Sequence, residues 1–179
     1  HPVAHSFPTR RSSDLGVSIG SNDNLHQTES APKVNAEAIQ LIYNRLDRTP
    51  EQRVFDACQR HNLGVLARVP LASGYLSGKY TPEDADKFAD DDVRGRWHGA
   101  EKARANLEEA EKIKQQEVPD GVNMAQWALG WCLKHPAVTC VIPGCKNVEQ
   151  VKSNAAAADL DVVPVDHPQS RPAPSNLPG

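Results

Sequence analysis

Short apolar runs carrying β-branched residues recur along the middle of the chain, at Gly16–Ile19, Ala38–Tyr43, Gly64–Val69 and Thr139–Ile142. Each has the length of a buried strand, and none alternates cleanly with polar residues, the pattern of strands covered on both faces. Helical periodicity fills the intervals. Thr49, Pro50 and Gln52 read as N-cap, first-turn proline and capping-box residue of a helix reaching about His61, with Val54 and Cys58 on its apolar face. Residues 100–117 predict a charged helix with a narrow stripe of Ala103, Leu107 and Ala110, supported by a Glu108–Lys112 pair. Asn123 caps the next helix, where Met124, Trp127, Ala128, Trp131 and Cys132 share a face down to Lys134. Asn147 opens the last, with Gln150 at its third position and Val148, Val151 and Ala155 expected to point inward. The polar stretch Ser21–Asn35, interrupted by Pro32, supports at most a short or frayed helix.

Strands alternating with helices imply parallel β/α units, because parallel neighbours need crossover connections. A closed barrel of eight such units needs about 200–250 residues. The chain has 179, enough for half of one, and an open doubly wound sheet is the alternative on pattern alone. The glycine-rich phosphate loops of open sheets, GxGxxG after the first strand or GxxxxGK[ST], do not occur.

Composition narrows the class. With 39% apolar and 24% charged residues and a net charge of −3, the chain has material for one packed domain and no electrostatic case for nucleic acid. No apolar run approaches the ~20 residues of a membrane span. The four cysteines, Cys58, Cys132, Cys140 and Cys145, are expected as reduced thiols in a cytoplasmic setting. Residues 1–15 carry two prolines and paired arginines without periodicity, and are expected to be a non-native or disordered segment. Residues 161–179 hold five of the fourteen prolines and read as a flexible, partly extended tail.

Residues 38–52 (AIQLIYNRLDRTPEQ), 64–80 (GVLARVPLASGYLSGKY) and 138–160 (VTCVIPGCKNVEQVKSNAAAADL) resemble the aldo-keto reductase family, and in the family's order. GVSIGS at 16–21 is similar to the family's fifth-strand motif, with Ile19 in place of an Asn. The resemblance covers roughly residues 16–160. It implies that the four strands are the fifth to eighth of a TIM (β/α)8 barrel, open or incomplete as a single chain, in an NADP(H)-dependent oxidoreductase acting on a small-molecule carbonyl.

The resemblance also implies roles. Ser18 and Gln40 hold the nicotinamide carboxamide, a group whose donor and acceptor match a glutamine's. Arg68 takes the position of a ring-stacking Tyr, a use open to a planar guanidinium. Pro70, Leu71, Ala72, Ser73 and Gly74 wrap the pyrophosphate, with Lys79 adding charge. Gly144, Lys146, Asn147 and Gln150 bring a strand into a helix start, an arrangement suited to a phosphate, and hold the adenosine 2′-phosphate, with Asn154 near the adenine. Trp97, in the long loop after the seventh strand, borders the substrate pocket. The family's catalytic Tyr, Lys, Asp and His belong to the first half of the barrel. Tyr43, Tyr75 and Tyr80 occupy other motif positions, so the chain alone is expected to be inactive, the alternatives being a non-catalytic dinucleotide-binding or regulatory module and a self-associating structural half-barrel. Three further expectations concern the remaining residues. Cys132, His135, Cys140 and Cys145 are core rather than zinc ligands, Asp90–Asp92 a solvated loop, and half a barrel self-associates through its exposed edges.

Overall fold

The computed structural model describes residues 15–88 and 92–161; the 1–14 segment and the 162–179 tail lie outside the described residues. Four strands, β1 (Leu15–Ser18), β2 (Ala36–Ile42), β3 (Gly64–Arg68) and β4 (Cys140–Ile142), form one sheet in the order β1-β2-β3-β4. All three pairings are parallel, as the alternating pattern predicts. The sheet is not closed.

Burial alternates along the strands and divides the sheet into two unlike faces. Ile39, Leu41, Val65 and Ala67 have no exposure and join the core with Phe55, Leu107, Trp127 and Trp131. At about 1.5–3 kcal/mol for each fully buried large apolar side chain, this face anchors the fold. The opposite face retains solvent exposure among the described residues. Its residues lie in rows set by the register: Gly16, Ala38 and Gly64; then Ser18, Gln40, Leu66 and Cys140; then Ile42, Arg68 and Ile142. Parallel sheets are normally covered on both sides, so a strand pattern without polar alternation and one open face do not match within this chain.

The helices depart from expectation in instructive ways. The Ser21–Asn35 stretch makes α1 (Leu25–Ser30), capped by the Asn24 side chain, and a 3-10 turn. Thr49 does not cap a helix: Thr49–Gln52 is itself a 3-10 turn, and the chain breaks at Arg53 (φ −151°) before α2 (Val54–Arg60). Glu51 decides this local structure by taking a fork of bonds from Arg48, at 2.8 and 2.7 Å, and one from the Tyr43 hydroxyl at 2.7 Å. Helix α3 (Val93–Gln116) is broken at Gly99 (φ 71°, ψ 163°), so its regular part begins where the pattern puts it. Ala103, Leu107 and Ala110 are buried as expected, joined by Ile113. Lys112 pairs with Glu109 rather than Glu108, one helical turn being reachable at either spacing.

In α4 (Met124–Leu133) the Asn123 side chain accepts from the amides of Ala125 and Gln126, and the expected apolar face is buried. Helix α5 (Val148–Ala156) corrects its expectation. Val148 is 62% and Val151 53% exposed, and Ala155 is exposed too. The sheet ends at β4, so no further β/α unit among the described residues covers that side of α5. The cysteines divide as well. Cys58 and Cys132 are buried, whereas Cys140 and Cys145 are exposed and do not belong to the core. His135 packs beside Phe55 and Tyr43.

Candidate functional site

The loop after β3 is the most strained backbone described. Val69 (φ 57°), Ala72 (φ 48°) and Ser73 (φ 56°) adopt left-handed conformations without being glycine, followed by Gly74 (φ 94°). Each such residue costs about 1–2 kcal/mol, and a β-branched one is rarer still. The Val69 carbonyl is held by the Asn44 side-chain amide at 3.1 Å and the Ala72 N–H at 2.9 Å. Strain of this kind collects where a backbone must face a ligand.

Beside that loop lies a cavity of about 760 Å³. On one wall are Val69, Pro70, Leu71, Ser73, Gly74 and Lys79; on the other are Gly144, Cys145, Lys146, Gln150 and Asn154. The structure thus brings together the two segments expected to act jointly, although about seventy residues separate them. Ala72 is buried beneath the loop, and Asn147 works as a helix cap, its Oδ1 accepting from the Gln150 N–H at 2.9 Å. Neither lines the cavity. Ser18 and Gln40 stand opposite each other on the open sheet face, with Gln40 Nε2 donating to Ser18 Oγ at 3.3 Å. Arg68 lies between Ile42 and Ile142 on the same face, so it too is outside the cavity lining.

Internal bonds decide which donors remain. The Ala72 and Gly74 amides bond to the Val69 and Leu71 carbonyls within the loop, so these two donors are already engaged. At the other wall the Lys146 N–H donates to Gln150 Oε1 at 2.7 Å, and the Asn154 amide donates to the Cys145 thiol sulfur at 3.1 Å. The amides of Val148 and Glu149 are those a helix start leaves for a ligand.

Sequence reasoning missed a third wall, formed by Tyr80, Asp92 and Arg94. Asp92 is no solvated loop residue. Its side chain caps α3 by accepting from the Arg94 N–H at 2.9 Å, and it takes the guanidinium in a fork, 2.8 Å from Nε and 2.5 Å from Nη2. Those bonds from Arg94, with the charge of Lys146 adding to them, hold the Asp92 carboxyl at about 2. The Asp92 bond in turn raises Arg94. The guanidinium carbon sits 4.2 Å from the Tyr80 ring centre and 4.0 Å from that of Phe88. The signal available in sequence was an acidic N-cap followed two residues later by Arg, with aromatic residues just upstream. Trp97 falls in α3, and its side chain lies outside the described residues; Asp90 and Asp91 lie outside them altogether.

The arrangement can bind an anion. Lys79, Arg94 and Lys146 converge on one cavity with a single carboxylate, Asp92, among its described lining residues. Among the described residues of the chain, no helix is long and apolar enough to cross a membrane.

Comparison with known proteins places the chain in a family. The aldo/keto reductase family model matches residues 13–169. The L-glyceraldehyde 3-phosphate reductase of Escherichia coli O157:H7 is 35% identical over 166 residues, which are 87% of this chain and 47% of that protein. The aldo-keto reductase yakc [NADP(+)] of Schizosaccharomyces pombe is 27% identical, covering 80% of this chain and 42% of its own length. The solved structure of the aldo-keto reductase AKR11C1 from Bacillus halodurans (holo form) superposes with a TM-score of 0.63 at 25% identity, over 87% of this chain and 47% of that one. The chain therefore spans about half the length of these relatives. Its fold is of the α/β, TIM-barrel type, and the chain belongs to the aldo/keto reductase family.

Proposed function

We propose that this chain is the cofactor-gripping half, units five to eight, of an NADP(H)-dependent carbonyl reductase barrel. One observation carries the reading: three cations, a strained loop and a helix start converge on a single cavity. That donor set fits a ligand bearing several phosphates, because one carboxylate leaves the lining net positive. Lys146 and the first amides of α5 take the adenosine 2′-phosphate, with Asn147 keeping the helix start in shape and Gly144 allowing close approach. Lys79 and Ser73 take the pyrophosphate alongside Pro70, Leu71 and Gly74, while Ala72 supports the loop from beneath. Gln150, whose Oε1 takes the Lys146 N–H, belongs to the same 2′-phosphate turn, and Asn154 flanks the adenine side. Ser18 and Gln40 hold the carboxamide, and Arg68, on the same open face, lies against the nicotinamide.

When bound, the dinucleotide supplies a hydride for a carbonyl substrate. The chain's own residues bind and orient it; no residue of this chain is assigned as the proton donor, which a complementary half-barrel provides. NADPH fluorescence titration tests the reading. Micromolar binding is expected, and an unchanged signal at millimolar NADPH removes it. Absence of turnover by the chain on its own is also expected; a carbonyl reduced by it alone refutes the assignment of the acid to another half.

A second reading rests on the open sheet face. Ile142 is 43% exposed on that face, Val148 and Val151 are exposed on α5, and β1 and β4 are free strand edges among the described residues. Two copies meeting through these edges bury them. Size-exclusion chromatography giving a dimer supports this; a compact monomer at all concentrations refutes it.

A further inference from the structure

Asp92 is the one acidic residue in the cavity lining among the described residues, and its oxygens are already engaged by Arg94. The guanidinium is closed in elsewhere too. Tyr80 and Phe88 cover it, a Cβ placed on Gly74 would stand 3.6 Å from Nη1, and the residue is only 9% exposed. A carboxylate held in a fork uses the same planar donor pair that recognises a phosphate. An anion entering the cavity therefore meets an Arg94 whose fork is filled by the chain itself. Because Asp92 is held at about 2, it stays ionised across the neutral range.

We propose that Asp92 is a tethered counter-anion: it fills the Arg94 fork in the ligand-free cavity, and a phosphate-bearing ligand must displace it to reach that cation. The identity of the ligand rests on the dinucleotide reading, but the competition requires only an anion. Asp92 thus has two opposed effects. It keeps a nearly buried guanidinium paired, which would otherwise hold unsatisfied donors. It also removes one positive charge from the field an incoming phosphate feels. A neutral ligand is indifferent to both.

Asp92→Asn in the full chain tests this. Asparagine caps a helix as well as aspartate does, so the start of α3 is preserved while the charge is lost. Isothermal titration with inorganic pyrophosphate and with adenosine 2′,5′-bisphosphate is expected to show about three- to tenfold tighter binding, with a steeper salt dependence. Adenosine, which carries no phosphate, is expected to bind unchanged. Asp92→Ser, a second good cap without the planar fork, gives the same direction and covers a failure of the Asn variant to fold. With Arg94→Gln already present, the gain from Asp92→Asn is expected to shrink below about twofold, the residue of a general field effect. Pyrophosphate affinity unchanged or weakened in both Asp92 variants overturns the proposal, as does a full gain in the Arg94→Gln background. The two readings fail separately. A chain that binds pyrophosphate but not NADPH loses the cofactor assignment alone, and one that binds NADPH with no gain from Asp92→Asn loses the counter-anion alone.

Discussion

Gln40 and Ser18 stand directly opposite in the β1–β2 ladder, and the Gln40 amide donates to the Ser18 hydroxyl oxygen at 3.3 Å. The bond is long, and it lies on the open face. A ligand amide can therefore replace it at little cost. Gln40→Leu is expected to weaken NADPH binding about tenfold, the worth of one or two neutral hydrogen bonds. Adenosine 2′,5′-bisphosphate, which lacks the nicotinamide, should bind as before. Equal loss for both ligands, measured by titration, would place Gln40 outside any carboxamide contact.

Lys146 lines the cavity at the start of α5. Lys146→Gln removes a charge-assisted contact while leaving the Asn147 cap in place. Its expected effect is a loss of roughly ten- to a hundredfold in NADPH affinity with little change for NADH. Parallel losses for the two dinucleotides would refute a 2′-phosphate contact.

Glu51 makes folding stability sensitive to acid. Burial pushes its carboxyl up, but the bonds from Arg48 and Tyr43 outweigh that and leave it below its usual 4.5. A carboxylate lowered in the folded state stabilises the fold above its unfolded value, and that contribution is lost as pH falls through the folded value. Thermal melts should therefore drop as pH falls below about 4.5. Tyr43→Phe should cost about 1–2 kcal/mol at neutral pH. Glu51→Gln should flatten part of the acid slope, and an unaltered slope in this variant would exclude Glu51 as its source.

Val65 and Val69 are the same residue type, four positions apart, with unequal expected costs. Val65 is fully buried, and truncation to Ala should cost about 2–3 kcal/mol. Val69 carries a left-handed φ of 57°, so Val69→Gly relieves strain that roughly offsets the lost side chain and added chain entropy. Its stability should change by less than about 1 kcal/mol in chemical denaturation. A loss at Val69 as large as that at Val65 would mean the loop is not strained there.

Val148 and Val151 face outward on α5. If copies associate through the open face and its flank, Val151→Lys should shift sedimentation toward the monomer. A dimer population unchanged in both Val151→Lys and Ile142→Lys would move the interface elsewhere.

What the chain announces by itself is whatever depends on local periodicity. The four strands, their parallel order and the Asn123 and Asn147 caps were legible because residue spacing alone encodes them, whereas the segments 70–74 and 144–154 stood out only through their resemblance to a known family. Whether an apolar position is covered is a different matter, since it depends on what lies across from it. Val148 and Val151 have an inward pattern but no neighbouring unit among the described residues, so they face outward. Asp92 and Arg94 look like solvated charges in a polar loop. Only the packing of α3 against Tyr80 and Phe88 turns them into a paired wall of the cavity, because a charge's role is set by the groups that the folded chain brings within a few ångströms of it.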